Sequence, residues 1–188
     1  RLVNQLLDFQ KISAGKRRKQ IDKIDLVRFT SACADYFEAT CEIKKIKFKT
    51  RIPNKQLWIK ADVDSLEKII FNYLSNALKY TPENGEITII LEEQANNIRI
   101  SIQDTGPGIH EKDQGRLFEV FSQIDETTTR KYEGTGLGLA LVKQLTEELN
   151  GSVGVHSTPG QGAIFWADFP NATEEKLDRD LLIYTDNW

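Results

Sequence analysis

The sequence predicts an α+β fold, a two-layer α/β sandwich with a mixed sheet packed on helices. Two features of the pattern lead there: helical and strand periodicities are interspersed along the chain, and several strands come as hairpin pairs separated by turn residues. A length of 188 residues suits one domain of about 150 residues with flanking pieces.

The elements follow in order. Leu2, Val3, Leu6, Leu7, Phe9 and Ile12 recur near helical spacing and stop at Ala14-Gly15, the end of a helical stub. Its apolar face calls either for an absent partner helix or for its own domain. The basic stretch Lys16-Arg17-Arg18-Lys19 is short enough to be a solvated face. Leu26, Phe29, Cys33 and Phe37 then mark one side of an amphipathic helix from about Asp25 to Glu42. Residues 47–52 alternate as a strand and break at Pro53-Asn54; residues 57–60 form a second short strand. Asp64 is placed to cap a helix running to about Tyr80, ended by Thr81-Pro82-Glu83-Asn84-Gly85. Strands 86–93 and 98–103 join at Asn96-Asn97. The segment from Gly106 to Gly134 is polar except for Leu117-Phe118-Glu119-Val120-Phe121, and is read as a lid. A helix from Leu137 to Leu149 closes at Asn150-Gly151, and strands 152–157 and 163–169 make a final hairpin. No internal repeat or low-complexity tract is present.

Composition excludes several classes. At 39% hydrophobic, 28% charged and a net charge of -3, the chain has no global attraction for nucleic acid or anionic lipid. No apolar run approaches the ~20 residues of a membrane helix, and no signal peptide is visible. With no Met and an Arg at its start, the chain is expected to be an excised fragment, cytoplasmic as it stands, from a parent that could be membrane-anchored. Cys33 and Cys41 would sit about 12 Å apart along one helix, too far for a disulfide, and are expected as buried thiols.

Two glycine clusters carry the chemistry: Asp104-Thr105-Gly106-Pro107-Gly108 and Gly134-Thr135-Gly136-Leu137-Gly138-Leu139. Glycine admits a ligand close to the peptide plane. The second cluster opens a helix whose free N–H groups and positive dipole end suit phosphate. Neither has the spacing of a Walker loop or of a dinucleotide fingerprint, so a different ATP site is indicated. A carboxylate at Asp104 can accept a hydrogen bond from the adenine amine and would repel the oxygen of guanine. Asn72, Asn76, Lys79 and Tyr80 recur on one helical face. An Asn carbonyl is a hard ligand that leaves Mg²⁺ most of its phosphate and water shell, and Lys79 can reach phosphate oxygens. Taken singly, Asp104 could equally cap a loop and the Asn stripe could be surface polarity.

Together, Asn72-x-x-x-Asn76-x-x-Lys79-Tyr80, Asp104-x-Gly106-x-Gly108, Phe118-x-x-Phe121 and Gly134-Thr135-Gly136-Leu137-Gly138-Leu139 resemble the N, G1, F and G2 boxes of sensor histidine kinase catalytic domains. These belong with the gyrase, Hsp90 and MutL-type ATPases, which share the Bergerat-type ATP-binding fold. The resemblance covers about residues 20–170. It implies a division into residues 1–20 as the end of a dimerisation-hairpin helix, 21–171 as the catalytic ATP-binding domain, and 172–188 as a linker and the possible start of a receiver domain.

The resemblance implies ATP and Mg²⁺ as cofactors, with Asn76 as the metal ligand beside Asn72. Lys79 and Tyr80 would touch phosphate and nucleotide, and Asp104 the adenine, in a pocket shaped by Gly106 and Gly108. Arg130 resembles the phosphate-facing Arg of the lid, and Gly134, Thr135, Gly136, Leu137, Gly138 and Leu139 its phosphate-binding turn. Asn76, Lys79 and Arg130 would carry the catalysis. Phe118 and Phe121 look like packing anchors of the lid. Implied partners are the protein's own dimerisation hairpin, bearing the phosphoacceptor His, a response-regulator receiver domain, and a second copy in the full-length homodimer. The two histidines present, His110 and His156, are both rejected as acceptor.

Three departures stand out. Pro107 stiffens the turn of the first glycine cluster, which the turn can tolerate. Ala163 replaces the Ser or Thr frequent near the adenine, implying one water-mediated contact fewer. Asn72 stands where the ATPase relatives carry a water-activating Glu, and an amide cannot act as a general base, which favours phosphotransfer over hydrolysis. The tail Leu181-Leu182-Ile183-Tyr184-Thr185-Asp186 resembles the first strand of a receiver domain, which would make the parent a hybrid kinase, or is simply a terminal strand or disordered tail. A nucleotide-sensing pseudokinase, a gyrase- or Hsp90-like ATPase and a serine-directed kinase are the alternatives.

Overall fold

The computed structural model describes residues 19–122 and 136–173. The expected N-terminal helix, Arg130, Gly134, Thr135 and the tail fall outside the described residues. The described elements run β1 (Asp22–Asp25), α1 (Leu26–Ile43), β2 (Lys47–Arg51), β3 (Trp58–Ala61), α2 (Val63–Tyr80), β4 (Glu86–Glu93), β5 (Asn97–Asp104), α3 (Glu111–Gln114), α4 (Gly138–Glu148), β6 (Ser152–Ser157) and β7 (Ala163–Pro170).

Five strands form one sheet in the order β2-β4-β5-β7-β6, with β2 parallel to β4 and the other pairs antiparallel. β1 and β3 make a separate antiparallel ribbon. Alternation decides which side of the sheet is covered. Ile89, Ile102 and Phe165 stand opposite one another in register, and Ile87, Ile98, Ile100, Ala167 and Phe169 continue the same buried face. Against it lie the apolar stripes of α2 (Leu66, Ile69, Ile70, Tyr73, Leu74) and α4 (Leu141, Val142, Leu145). Burying each such side chain contributes roughly 1.5–3 kcal/mol. The expected two-layer sandwich is the observed one.

On the opposite face the Arg99 guanidinium grips Asp168 through two bonds of 2.7 Å and lies 4.0 Å from the centre of the Trp166 ring. Pairing lets Asp168 be buried at the edge of an apolar layer. Tyr73 crosses the core to donate its hydroxyl hydrogen to Trp166 O at 2.9 Å. Burial pushes the Tyr73 phenol well above its ordinary range.

Helix starts differ in detail from the sequence expectation. Asp25 caps α1 from outside, its Oδ1 accepting from Val27 N at 3.1 Å. For α2 the cap is Asp62, not Asp64: Asp62 Oδ1 accepts from Ser65 N and Ser65 Oγ at 2.9 and 2.8 Å. Asp64 falls in the first turn instead, where its charge complements the helix dipole. β1 was invisible in the sequence because only Ile24 among its four residues is apolar; its partner β3 makes it a strand. Cys33 and Cys41 are buried and free, as expected, and burial pushes the Cys33 thiol up to about 11.

Candidate functional site

The site is built where the end of α2, the end of the central strand β5 and the start of α4 converge. Helix periodicity turns Ile70, Leu74 and Leu78 into the core. That leaves Asn72, Asn76, Lys79 and Tyr80 on the opposite side, half-buried to exposed. Lys79 Nζ lies 2.9 Å from Tyr80 Oη and 4.6 Å over its ring, so these two form one cationic corner at the C-terminal end of α2.

Asp104 closes β5 and is only 6% exposed. Its Oδ1 accepts from Gly106 N at 2.8 Å, and the nearby backbone of Ala163 also favours the charged carboxylate. Burial nevertheless wins, and holds the carboxyl above its ordinary range. An acid kept out of water at a strand end, short of full compensation, is a candidate ligand-binding group.

Glycines bring the pieces together. A Cβ on Gly106 would sit 2.8 Å from Asp104 Oδ1 and 3.1 Å from Tyr80 O, so the loop after β5 lies directly on the end of α2. Gly108 adopts φ +73°, and a Cβ there would lie 2.1 Å from Thr158 O in the β6–β7 turn. At the other end, a Cβ on Gly138 would meet Asn72 Oδ1 at 2.8 Å, which seats the start of α4 against the Asn face of α2. Gly136 has φ +66°, and its carbonyl accepts from Phe121 N at 3.0 Å. The N-cap position of α4 is held by Leu137, whose side chain carries no capping oxygen.

For a divalent cation the donor set is restrictive. Among the described residues no group of three or more His, Cys, Asp or Glu could hold a metal. What α2 offers is amide oxygen. Asn72 Nδ2 donates to Lys68 O at 2.7 Å, which turns its oxygen away toward Gly138, and Asn76 lies one turn further on. Such a set fits Mg²⁺, which keeps phosphate and water ligands and needs few from the protein.

Of the expected site residues, Asn72, Asn76, Lys79, Tyr80, Asp104, Gly106, Gly108, Gly136, Leu137, Gly138 and Leu139 are gathered around this convergence. Arg130, Gly134 and Thr135 lie outside the described residues. Phe118 is the anchor foreseen, its ring 6.4 Å from Phe165 and edge-on to it. Phe121 is not: its φ of +61° turns it outward and leaves it 62% exposed. His110 precedes α3 and His156 stacks 6.3 Å from Trp166, both exposed and neither part of the convergence. Sequence reasoning missed Ser157, Gln114 and Gly162, which hold the loop after Asp104; the turn-rich run Ser157-Thr158-Pro159-Gly160-Gln161-Gly162 was a signal for the first and last, and Gln114 carried none.

Residues 61–173 match the family described as histidine kinase-, DNA gyrase B-, and HSP90-like ATPase. The chain is 35% identical over 182 residues to "Sensor histidine kinase WalK" of Bacillus subtilis, covering 96% of this chain and 30% of that protein. It is 34% identical over 175 residues to "Hybrid signal transduction histidine kinase D" of Dictyostelium discoideum, covering 90% and 11%. The crystal structure of full-length ShkA in complex with AMPPNP superposes with a TM-score of 0.78 at 32% identity, over 92% of this chain and 35% of that one. The chain thus spans less than a third of the length of these curated relatives. A match over more than half the chain, on the elements that build the convergence, settles the family: the chain belongs to the histidine kinase-, DNA gyrase B-, and HSP90-like ATPases.

Proposed function

We propose that this chain is the ATP-binding catalytic domain of a two-component sensor histidine kinase. It would deliver the γ-phosphoryl of ATP to a His on an upstream dimerisation hairpin. The observation that carries this is Asp104: a buried carboxylate held by two backbone groups, with a glycine loop opening beside it onto the end of α2. Lone pairs of the carboxylate then remain for the adenine amine. Gly106 and Gly108 let the base approach. Lys79, Tyr80 and the N-terminus of α4, from Gly136 through Leu137 and Gly138 to Leu139, face the phosphates. Asn76, with Asn72 beside it, would hold Mg²⁺, whose charge would offset that of the phosphates. For Arg130, Gly134 and Thr135 the proposal rests on the sequence alone; there the guanidinium would neutralise the γ-phosphate.

Catalysis in this scheme is positioning and charge neutralisation by Asn76, Lys79 and Arg130. Asn72 provides no base for water, so hydrolysis by the chain alone should be slow. The names of the relatives support histidine as the acceptor, and the hybrid relative supports a receiver domain as downstream partner. Titration of ATP into the chain with and without Mg²⁺ tests the proposal. Mg²⁺ should tighten binding several-fold, and Asn76→Ala should erase that gain. Rapid ATP turnover by the chain alone, or Mg²⁺-independent binding that Asn76→Ala leaves untouched, would overturn it.

A further inference from the structure

We propose that Ser157 is a positioning residue for the base-binding end of the site, a hydroxyl latch that sets how Asp104 meets a purine. The inference rests on the ATP-binding proposal above and adds to it a determinant of base selectivity on a different strand from the carboxylate.

The loop after β5 has no regular structure between Thr105 and His110, yet Asp104 orientation depends on it through the bond to Gly106 N. What fixes the loop is the β6–β7 turn. Ser157 Oγ accepts from Ile109 N at 2.9 Å and donates its hydrogen to Gly162 O at 2.6 Å. One hydroxyl thereby satisfies a donor on the loop and an acceptor on the far side of the turn. Gln114 Nε2 makes the complementary tie, donating to both Ile109 O and Ser157 O at 2.9 Å. The Ile109 residue is therefore held at its nitrogen and at its oxygen. Gly160 N adds a bond of 2.7 Å to Pro107 O.

The packing leaves no slack. Gly162 has φ +78°, and a Cβ there would fall 1.9 Å from Asp104 O. The next residue, Ala163, supplies the second backbone contact to the Asp104 carboxylate. The carboxylate is thus oriented by one group from the loop (Gly106) and one from the hairpin (Ala163), and Ser157 joins those two segments. With the hydroxyl gone, Ile109 N and Gly162 O both lose their partner, and the two supports of the carboxylate can separate. Ser157 touches no nucleotide in this scheme; it acts through Asp104.

The test uses the full 188-residue chain and Ser157→Ala, with Ser157→Thr as the variant that keeps the hydroxyl on a strand residue. Two readouts are needed: dissociation constants for ADP and GDP by calorimetry, and hydrogen exchange of the Ile109 amide without nucleotide. Ser157→Ala should lower the preference for ADP over GDP by about 10-fold or more, on the scale of orphaned buried polar groups. It should also speed exchange at Ile109 by a similar factor, and Ser157→Thr should restore both. If Ser157→Ala loses its thermal transition, Gln114→Leu severs the same residue at its oxygen and carries the same expectation. An unchanged base preference, or unchanged exchange at Ile109, in a folded variant overturns the latch. Failure of the unsubstituted chain to bind ADP would count against the ATP-binding proposal instead, and Ile109 exchange would still report the latch.

Discussion

Replacing Asp104 by Asn changes a charge and a hydrogen-bonding pattern while leaving the shape of a residue that is 6% exposed almost intact. Gly106 N at 2.8 Å needs an acceptor, so the amide oxygen would take the place of Oδ1 and the NH₂ group would occupy the other position. There it would confront the adenine amine donor to donor. Loss of a charge-assisted hydrogen bond costs roughly 1.5–3 kcal/mol, or about 10- to 150-fold in affinity for ATP. Guanine, with an oxygen at that position, should lose little or gain. Stability should move the other way. Burial raises the folded-state pKa of Asp104 above its ordinary 3.8, so the folded chain binds the proton more tightly than the unfolded chain does. The stability associated with that proton is fully present below the ordinary value and is lost as pH rises through the elevated one. At pH 7 the ionised carboxylate therefore opposes folding, and Asp104→Asn should melt at or above the temperature of the unsubstituted chain. Its advantage should shrink as pH falls toward 4. Calorimetry with ATP and GTP, paired with melting curves across that range, reads both effects. Binding of ATP within two-fold of the unsubstituted chain would refute the assignment of Asp104 to the base. A melting temperature several degrees lower at pH 7 would refute the electrostatic account.

Other expected outcomes separate architecture from site. Gly162→Ala forces an L residue to φ +78° with its Cβ 1.9 Å from Asp104 O. The change should destabilise by roughly 2–5 kcal/mol, seen as a Tm fall of at least about 5 °C. Gly138→Ala should leave the melting temperature level or raised, since Ala favours helix, yet its Cβ 2.8 Å from Asn72 Oδ1 should displace that amide and weaken Mg-ATP binding about five-fold. Arg99→Ala strands the buried Asp168 carboxylate and should cost about 3–5 kcal/mol in denaturant unfolding, partly recovered by Arg99→Ala with Asp168→Ala.

Much of this was legible beforehand for physical reasons that differ by element. The strand β5 declared itself because alternation of Ile98, Ile100 and Ile102 with Arg99, Ser101 and Gln103 is local information. The Asn stripe of α2 was readable because helical periodicity fixes which face each residue takes. β1 was not readable, since a strand with one apolar residue exists only through β3. Asp62 and Asp64 compete for one cap, and what decides is where β3 ends, a tertiary fact. The outward turn of Phe121 depends on a left-handed backbone conformation that no apolar pattern encodes. Ser157 and Gln114 escaped because their partners lie 48 and 43 residues away, across a contact only the closed sheet creates.

The most direct measurement is transfer of label from γ-labelled ATP, using a form of the protein extended upstream to include the proposed dimerisation hairpin. Acid-labile, alkali-stable label that vanishes in Asn76→Asp and Asp104→Asn is the result expected of a histidine kinase acting through this site. Label that survives in both variants, or ATP binding with no label at all, would contradict it, the second outcome pointing to a nucleotide sensor without phosphotransfer.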